Sequence, residues 1–152
     1  TVDIGRDFTV LLDYAHNGIA LKSLMDSLRE YDPKRLMLMF GCGGNRDRNR
    51  RFEMGKAAME TADFIIVTSD NPRREDPEKI IEDITDVMKF CDKVILAIPD
   101  RKKAIQRAIA EGRRGDIIVI AGKGHETYQI IGNETRHFDD REVILSCRED
   151  RK

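Results

Sequence analysis

Five short apolar runs alternate with amphipathic stretches along this chain, and this alternation limits the fold more than any other feature of the sequence. The runs are rich in Ile, Val, Leu and Met and occupy residues 8–14, 35–40, 63–69, 93–98 and 116–122. Their apolar residues are continuous, which is typical of strands covered on both faces. We therefore predict a mainly parallel sheet with helices on both of its faces.

The stretches between these runs carry helical periodicity and residues that favour helix starts. Apolar residues recur every three or four positions, as on the buried face of a helix. Helices are predicted at about 18–31, 77–89 and 101–112, with Asn17, Asp76 and Asp100 as their respective N-caps. Pro77 strengthens one of these starts, because proline is well tolerated at the first helical position.

A different pattern follows the fifth run. Gly132 and Asn133 separate two stretches of β-forming residues, "TYQII" and "ETRHF", which predicts a hairpin. The next segment, "DDREVILSC", predicts a closing helix that begins with a capping box from Asp139 to Glu142. The predicted fold class is therefore α/β, with a Rossmann-like, mainly parallel sheet, helices on both faces and a C-terminal hairpin.

Size, charge and cysteine content limit the classes of partner. A chain of 152 residues is most simply one domain, spanning 1–152. Its 27 lysines and arginines nearly balance its 28 acids, so net charge does not favour binding to nucleic acid or to an anionic membrane. No apolar run approaches the ~20 residues that cross a bilayer. Because Cys42, Cys91 and Cys147 are widely spaced, we expect reduced thiols in a cytoplasmic protein and no metal site.

Polar clusters follow four of the predicted strands, at the points where the strands end. In a parallel sheet these carboxyl ends share one edge, and ligands bind beside it. The first cluster, "DYAHNG", contains Asp13, Tyr14, His16 and Asn17. An aromatic ring, an imidazole and a carboxylate suit the base or sugar of a nucleotide. The alternative interpretation is a strand end followed by a helix cap.

The second cluster, "GCGGNRDRNRR", joins a glycine turn to several arginines. Three glycines in four positions let the backbone approach a ligand, and guanidinium groups bind carboxylate or phosphate. Arg46 lies nearest to the glycines and is the candidate for a ligand contact. For at least two of Arg48, Arg50 and Arg51 we expect a solvated helix entrance instead.

The third and fourth clusters are "TSDNPRREDP" and "AGKGHE". Their candidate site residues are Asp70, Asn71 and Arg73 in the third cluster and Gly122 and Glu126 in the fourth. We expect Arg74 and Glu75 to face solvent. Lys123 lies between two glycines, but the P-loop pattern GxxxxGK[ST] is absent from the whole sequence. A nucleotide-using enzyme would therefore obtain its phosphate cradle from another domain.

In this order, the motifs "DYAHNG", "GCGGNRDRNRR", "TSDNPRREDP" and "AGKGHE" resemble the C-terminal domain of the Mur ligases that add the third residue of the peptidoglycan stem peptide. The resemblance spans essentially the whole chain. It implies a piece of a longer, three-domain enzyme. In such enzymes the amino-terminal domain holds the UDP-sugar, and the central domain carries the P-loop, Mg²⁺ and a carbamylated lysine. ATP phosphorylates the stem-peptide carboxylate, and the incoming amine attacks the acyl phosphate.

The resemblance also implies the roles of particular positions. ATP contacts are expected at Asp13, Tyr14, His16 and Asn17. Contacts to the incoming amino acid are expected at Arg46, Asp70, Asn71, Arg73, Gly122 and Glu126. No catalytic or metal-binding residue is expected in this chain, and the isolated domain is expected to be inactive. The implied partners are UDP-MurNAc-dipeptide, ATP, a diamino acid and the central ATPase domain, in the bacterial cytoplasm.

The "DNPR" form of the third motif is associated in that family with meso-diaminopimelate. The chemistry of the side chains favours the same substrate, because its distal end carries one carboxylate and one ammonium group. Arg73, with Arg46, can hold the carboxylate, and Asp70 or Glu126 can take the ammonium. Lysine lacks the distal carboxylate and would leave Arg73 unpaired, at roughly 1–3 kcal/mol for a buried donor.

One departure from the family pattern and several alternatives stay open. The family commonly has Pro-Asp where this chain has Gly18 and Ile19, so the aspartate expected at position 19 is missing. The alternatives are a lysine-adding or other Mur-like ligase, a ligase of the folylpolyglutamate or cyanophycin synthetase type, and a non-catalytic amino-acid-binding module. An NAD-type dehydrogenase is disfavoured, because no GxGxxG follows the first strand.

Overall fold

The computed structural model describes residues 1–148 and contains the predicted alternation of strands and helices. In chain order the elements are β1 Thr9–Asp13, α1 Gly18–Arg29, β2 Leu36–Phe40, α2 Asn49–Thr61, β3 Phe64–Val67, α3 Pro77–Asp86, β4 Val94–Ala97, α4 Arg101–Glu111, β5 Ile117–Ala121, β6 Tyr128–Ile131, β7 Glu134–His137 and α5 Asp140–Ser146. Each core strand lies inside its predicted range, whereas α3 ends at Asp86 rather than at residue 89. None of the helices within residues 1–148 is long and apolar enough to span a bilayer.

The five core strands form one parallel sheet in the order β1-β5-β2-β3-β4. Its register pairs Asp13 with Ala121 and Phe40 with Val67. The segments that follow β1, β2, β3 and β5 therefore leave the sheet at the same edge. The strands β6 and β7 form a separate antiparallel pair, so the predicted hairpin is confirmed.

Successive residues of the central strands point to opposite faces of the sheet and fill two cores. On β2, Leu36, Leu38 and Phe40 pack against α1, α2 and α3, while Met37 and Met39 pack on the side of α4 and α5. Every residue of β2 is buried, which explains its continuous apolar sequence. Fully burying a side chain of this kind contributes about 1.5–3 kcal/mol. The α/β sheet with helices on both faces is thus confirmed.

The edge strand β4 is less covered than the sequence predicts. It pairs with β3 alone, and its side chains are half-buried or exposed. Val94, for example, is 50% exposed. The expectation that all five strands are covered on both faces is therefore wrong at this edge, because its position in the sheet cannot be deduced from its composition.

The predicted helix N-caps are present, with side-chain oxygens that accept backbone N–H groups. Asn17 accepts from Ala20 at 2.8 Å, Asp76 from Glu78 at 2.9 Å, Asp100 from Lys103 at 3.1 Å and Asp139 from Arg141 at 2.9 Å. The second half of the predicted capping box is wrong. The Glu142 carboxylate lies 2.8 Å from Nε2 of His137, at the end of β7, and raises the pKa of that histidine.

A fully buried ion pair lies at the carboxyl edge of the sheet. Nε and Nη2 of Arg101, the first residue of α4, donate to the two carboxylate oxygens of Asp140 at 2.8 and 2.7 Å. Nη1 of Arg101 also donates to the carbonyl of Ser69, just beyond β3, at 2.9 Å. Because both charged side chains have no exposed surface, this pair fixes the starts of α4 and α5 relative to β3.

Replacing Arg101 with Met should destabilise the protein strongly, because it leaves the Asp140 carboxylate buried without its cation. We expect the free energy of unfolding to fall by about 3–5 kcal/mol, measured by urea denaturation followed by circular dichroism. The control is Arg136→Met, which removes an exposed ion pair with Glu134 and should cost less than about 1 kcal/mol. Equal losses in the two variants would contradict the structural role of the buried pair.

Candidate functional site

A cavity of about 310 Å³ opens at the carboxyl ends of β1, β2, β3 and β5. Its wall combines Tyr128 of β6 with residues from all four polar clusters, namely Tyr14, His16, Gly41, Cys42, Gly43, Arg46, Arg50, Asp70, Asn71, Arg73, Gly122 and Glu126. Every residue predicted to bind the amino acid is in this wall. Of the residues predicted to bind the nucleotide, Tyr14 and His16 are in it, whereas Asp13 and Asn17 are not.

Tyr14 and His16 form an aromatic surface at the rim of the cavity. Their ring centroids are 5.0 Å apart in an edge-to-face arrangement, and 56% of Tyr14 is exposed. Exposed rings of this kind can stack on a flat base. The side chains of Asp13 and Asn17 are used locally instead, since Asp13 Oδ2 accepts the N–H of Ala15 at 2.8 Å and Asn17 caps α1. They hold the loop that carries the two rings.

The arginines after the glycine turn do not share one environment. Arg46 is exposed, and its Nη1 donates to the carbonyl of Asn45 at 3.2 Å. Arg48 fits the expected solvated position, with 67% of its side chain exposed. Arg50 lines the cavity, and Arg51 is only 2% exposed. Arg51 therefore departs from the expected solvated position, whereas Arg48 fits it and Arg50 keeps part of its surface exposed.

Arg51 and Glu75 clamp the glycine loop. Nη2 of Arg51 donates to Glu75 Oε2, which also accepts the backbone N–H of Asn45 at 2.7 Å. Nη1 of Arg51 donates to Asp83 in α3 at 2.9 Å. The hydrogen bonds from Asn45 and Arg51 hold the pKa of Glu75 below its usual value. Glu75 was expected to face solvent, but its carboxylate joins the loop after β2 to the loop after β3.

Close backbone contact completes the junction between these two loops. The N–H of Gly44 donates to the carbonyl of Asn71 at 2.8 Å. A side chain at Gly44 would clash with the carbonyl of Pro72, so only glycine allows this approach without a shift. The two loops are thus held as one wall of the cavity.

Arg73 is oriented by both its backbone and its side chain. Its φ of +54° lies in the left-handed region, which residues other than glycine rarely adopt. Its N–H donates to Ile130 at 3.0 Å and its carbonyl accepts from Gly132, so the hairpin docks on it. Nη1 donates to the carbonyl of Gly44 at 2.9 Å. Within residues 1–148, Nε and Nη2 of Arg73 have no hydrogen-bond partner, which leaves them for a ligand.

Asp70 forms the inner part of the wall, beside Gly122 and Lys123. Its side chain is 13% exposed, and its Oδ1 lies 3.4 Å from Nζ of Lys123. Gly122 has a φ of +113°, and its N–H donates to the carbonyl of Asp13 at 3.0 Å. Lys123 is fully buried, and burial lowers its pKa while Asp70 opposes that shift. The sequence interpretation assigned Lys123 no role, although a lysine between two glycines at a strand end was a visible signal.

Asn71 and Glu126 contribute differently to the cavity. The side-chain oxygen of Asn71 accepts from Lys123 Nζ and from the N–H of Ile130, each at 3.0 Å, so this oxygen is committed to the protein. Glu126 is half-buried, and its carboxylate raises the pKa of the neighbouring Tyr128 hydroxyl. It adds a second anionic group to the wall that contains Asp70. Anionic and cationic side chains in one cavity suit a zwitterionic ligand.

Potential metal ligands are not grouped in this part of the protein. Among residues 1–148, no set of three or more His, Cys, Asp or Glu side chains is placed to hold a metal ion.

The sequence matches a known family and several close relatives. The family described as "Mur ligase, glutamate ligase domain" matches residues 1–124. Ligases named UDP-N-acetylmuramoyl-L-alanyl-D-glutamate--2,6-diaminopimelate ligase are similar over nearly all of the chain. Those of Solibacter usitatus, Trichormus variabilis and Geobacillus thermodenitrificans are 50%, 51% and 43% identical, over 93%, 97% and 100% of this chain. The chain spans only 29% to 31% of their length.

Solved structures of ligases are also similar to this chain. A structure of a UDP-N-acetylmuramoyl-L-alanyl-D-glutamate--2,6-diaminopimelate ligase superposes with a TM-score of 0.91 and 40% identity, over 97% of this chain and 30% of that one. A folylpolyglutamate synthase/dihydrofolate synthase from Yersinia pestis has a TM-score of 0.59 and 16% identity, over 74% of this chain and 25% of that one. The second likeness shows a shared fold alone.

Cys42 lies in the wall of the cavity but is chemically sheltered. It is 3% exposed, and its Sγ lies 3.6 Å from the sulfur of Met54 in the core. Burial raises the pKa of the Cys42 thiol from 9.0 to about 12. The thiol is therefore protonated at neutral pH and is a poor nucleophile.

Thiol labelling should separate Cys42 from the two half-buried cysteines, Cys91 and Cys147. At pH 8 a pKa raised from 9.0 to about 12 leaves about a thousandfold less thiolate. We expect Cys91 and Cys147 to react with a disulfide reagent first and Cys42 to react only in denaturant. The variant Cys42→Ser should lose the thiol that reacts only in denaturant and keep the two that react in the folded protein. Three equal rates in the folded protein would contradict this prediction.

Proposed function

This chain belongs to the family of Mur ligase glutamate ligase domains, and from that membership we propose that it forms the amino-acid subsite and part of the nucleotide surface of an ATP-dependent ligase. The amino acid proposed is meso-diaminopimelate, and the acceptor is UDP-N-acetylmuramoyl-L-Ala-D-Glu. The observation that carries the proposal is the convergence of Arg46, Arg73, Asp70 and Glu126 on one cavity. Relatives named for 2,6-diaminopimelate, with 50% identity, support it.

The cationic and anionic side chains of the cavity match the two charged groups at the distal end of meso-diaminopimelate. Nε and Nη2 of Arg73 can donate to the distal carboxylate through charge-assisted hydrogen bonds, and Arg46 can support them. Asp70 and Glu126 can accept from the distal ammonium. Because Arg73 is half-exposed and already donates to Gly44, the penalty for leaving it without a carboxylate lies near the lower end of the 1–3 kcal/mol range.

The rest of the reaction is proposed to depend on other parts of a longer ligase. Since the chain spans 29% to 31% of its relatives, we propose that it is the C-terminal domain and that it contacts a central ATPase domain. That domain would supply the phosphate loop and would bind Mg²⁺. We assign no residue of this chain as a Mg²⁺ ligand. ATP is proposed to phosphorylate the dipeptide carboxylate. The amine then attacks the acyl phosphate, forming the amide bond and releasing phosphate, in the bacterial cytoplasm.

The residues present fit part of an ATP site. The exposed rings of Tyr14 and His16 can stack on the adenine or contact the ribose. Asp13 and Asn17 are engaged by the backbone of their own loop, so we propose that they position these rings and do not bind the nucleotide through their side chains. The nucleotide contribution of this domain is therefore the rim formed by Tyr14 and His16.

A lysine-adding ligase is the second candidate function, because the fold and the ammonium-binding carboxylates would serve lysine equally. The cations at the cavity favour meso-diaminopimelate over it. A ligase of the folylpolyglutamate type has support from the fold alone, at 16% identity.

The full-length ligase should prefer meso-diaminopimelate to L-lysine. Without the distal carboxylate, lysine leaves the donors of Arg73 unused, and we expect kcat/KM for lysine to be about 5- to 10-fold lower. Steady-state kinetics with each amino acid as the sole substrate would measure the ratio. A ratio of one, or a preference for lysine, would reject the proposed substrate.

The variant Arg73→Ala should raise the KM for meso-diaminopimelate about tenfold or more, because a charge-assisted hydrogen bond to the distal carboxylate is lost. The KM for ATP should change little. Arg74→Ala is the matched control, because Arg74 is the next residue, is exposed as expected, and donates to Asn133 of the hairpin at 3.1 Å. If both KM values rose equally in Arg73→Ala, Arg73 would be a structural residue.

A further inference from the structure

Lys123 has a fully buried side chain although it belongs to a loop beside the cavity. Its Nζ donates to the carbonyl of Tyr128 at 2.7 Å and to the side-chain oxygen of Asn71 at 3.0 Å. The same Nζ lies 3.4 Å from Oδ1 of Asp70. One ammonium group therefore joins the loop after β5, the loop after β3 and the first residue of the hairpin.

The carboxylate next to this ammonium lacks hydrogen bonds on one oxygen. Asp70 Oδ1 is buried and accepts no hydrogen bond from the part of the chain that the structure describes. The main-chain carbonyl of Asp70, in contrast, accepts from Nε2 of Gln129 at 2.8 Å. The backbone of Asp70 is thus held by the hairpin, while the orientation of its carboxylate depends on the charge of Lys123. A buried carboxylate without a cation nearby would be costly.

Asp70 and Glu126 are the two carboxylates of the cavity wall. Lys123 lies beside Asp70, whereas the more deeply buried carboxylate of Asp140 is already paired with Arg101. An ammonium group that enters the cavity can therefore be bound by Asp70 and Glu126 together.

We infer that Lys123 is a positioning residue for the ammonium end of the amino acid, acting through Asp70 and Asn71. Its side chain has no exposed surface, so it does not touch the substrate. It holds the Asp70 carboxylate in the cavity wall and, through Asn71, the loop that carries Arg73. The inference rests on the proposed function of the cavity and adds a residue to which no role in that function has been assigned.

A purely structural role would use the same contacts, but it would change different kinetic parameters. General loosening of the domain would weaken the binding of ATP and of the amino acid together. Loss of the Asp70 orientation would weaken the binding of the amino acid alone. The two KM values therefore distinguish the roles.

The test uses the full-length ligase, with KM for meso-diaminopimelate and KM for ATP measured in wild type, Lys123→Gln and Lys123→Met. Glutamine keeps an amide N–H that can donate to Tyr128 or Asn71, but it removes the charge beside Asp70. Methionine removes both. We expect each variant to raise the KM for the amino acid about 10- to 100-fold, with the KM for ATP changed less than about threefold.

Arg35→Met is the matched control. Arg35 forms a largely buried ion pair with Asp116, in which Nη2 lies 2.6 Å from Oδ2, and this pair lies at the amino-terminal ends of the strands, away from the cavity. This variant should lower the Tm without separating the two KM values. An unchanged amino-acid KM in Lys123→Gln, an equal rise in both KM values, or failure of both Lys123 variants to fold would overturn the inference. Wild-type protein without diamino-acid-dependent turnover would overturn the proposed function itself, before any variant is compared.

Discussion

The buried ion pair between Arg101 and Asp140 is the interaction on which the functional edge of the sheet depends. Its guanidinium binds both carboxylate oxygens and also the carbonyls of Ser69 and Ala121, at the ends of β3 and β5. A pair removed from water gains little net free energy, because desolvation offsets the attraction. Its contribution is geometric. A planar fork of donors holds two strand ends and two helix starts in one arrangement.

Two further buried cations extend this arrangement from the strands to the loops. Arg51 holds the loop after β2 against the loop after β3. Lys123 connects the loop after β5 to the loop after β3 and to the hairpin. Arg46 and Arg73, in contrast, keep exposed surface at the cavity. Burial thus separates the cations by role. Those with almost no exposed surface fix the loops, and those at the cavity stay available for a ligand carboxylate.

The strands, the helix starts and the common edge could be predicted because they follow from local patterns and from the geometry of parallel sheets. No local pattern specifies which charges pair across long separations, such as Arg51 with Glu75, 24 residues apart. The burial of Arg51 and the docking of the hairpin on Arg73 were therefore missed. The second half of the capping box failed for a different reason, because Glu142 has a competing partner only five residues away, in His137 at the end of the preceding strand.

The departure from the family pattern at Gly18 and Ile19 follows from the way α1 meets α2. A Cβ at Gly18 would lie 2.9 Å from the carbonyl oxygen of Glu53 and 3.0 Å from its Cβ, so a proline here would push the helices apart. Ile19 is 86% exposed and does not line the cavity. An aspartate at position 19 would therefore lie outside the amino-acid subsite that we propose. The nucleotide surface that we propose depends instead on Tyr14 and His16, whose loop is held between β1 and the cap of α1.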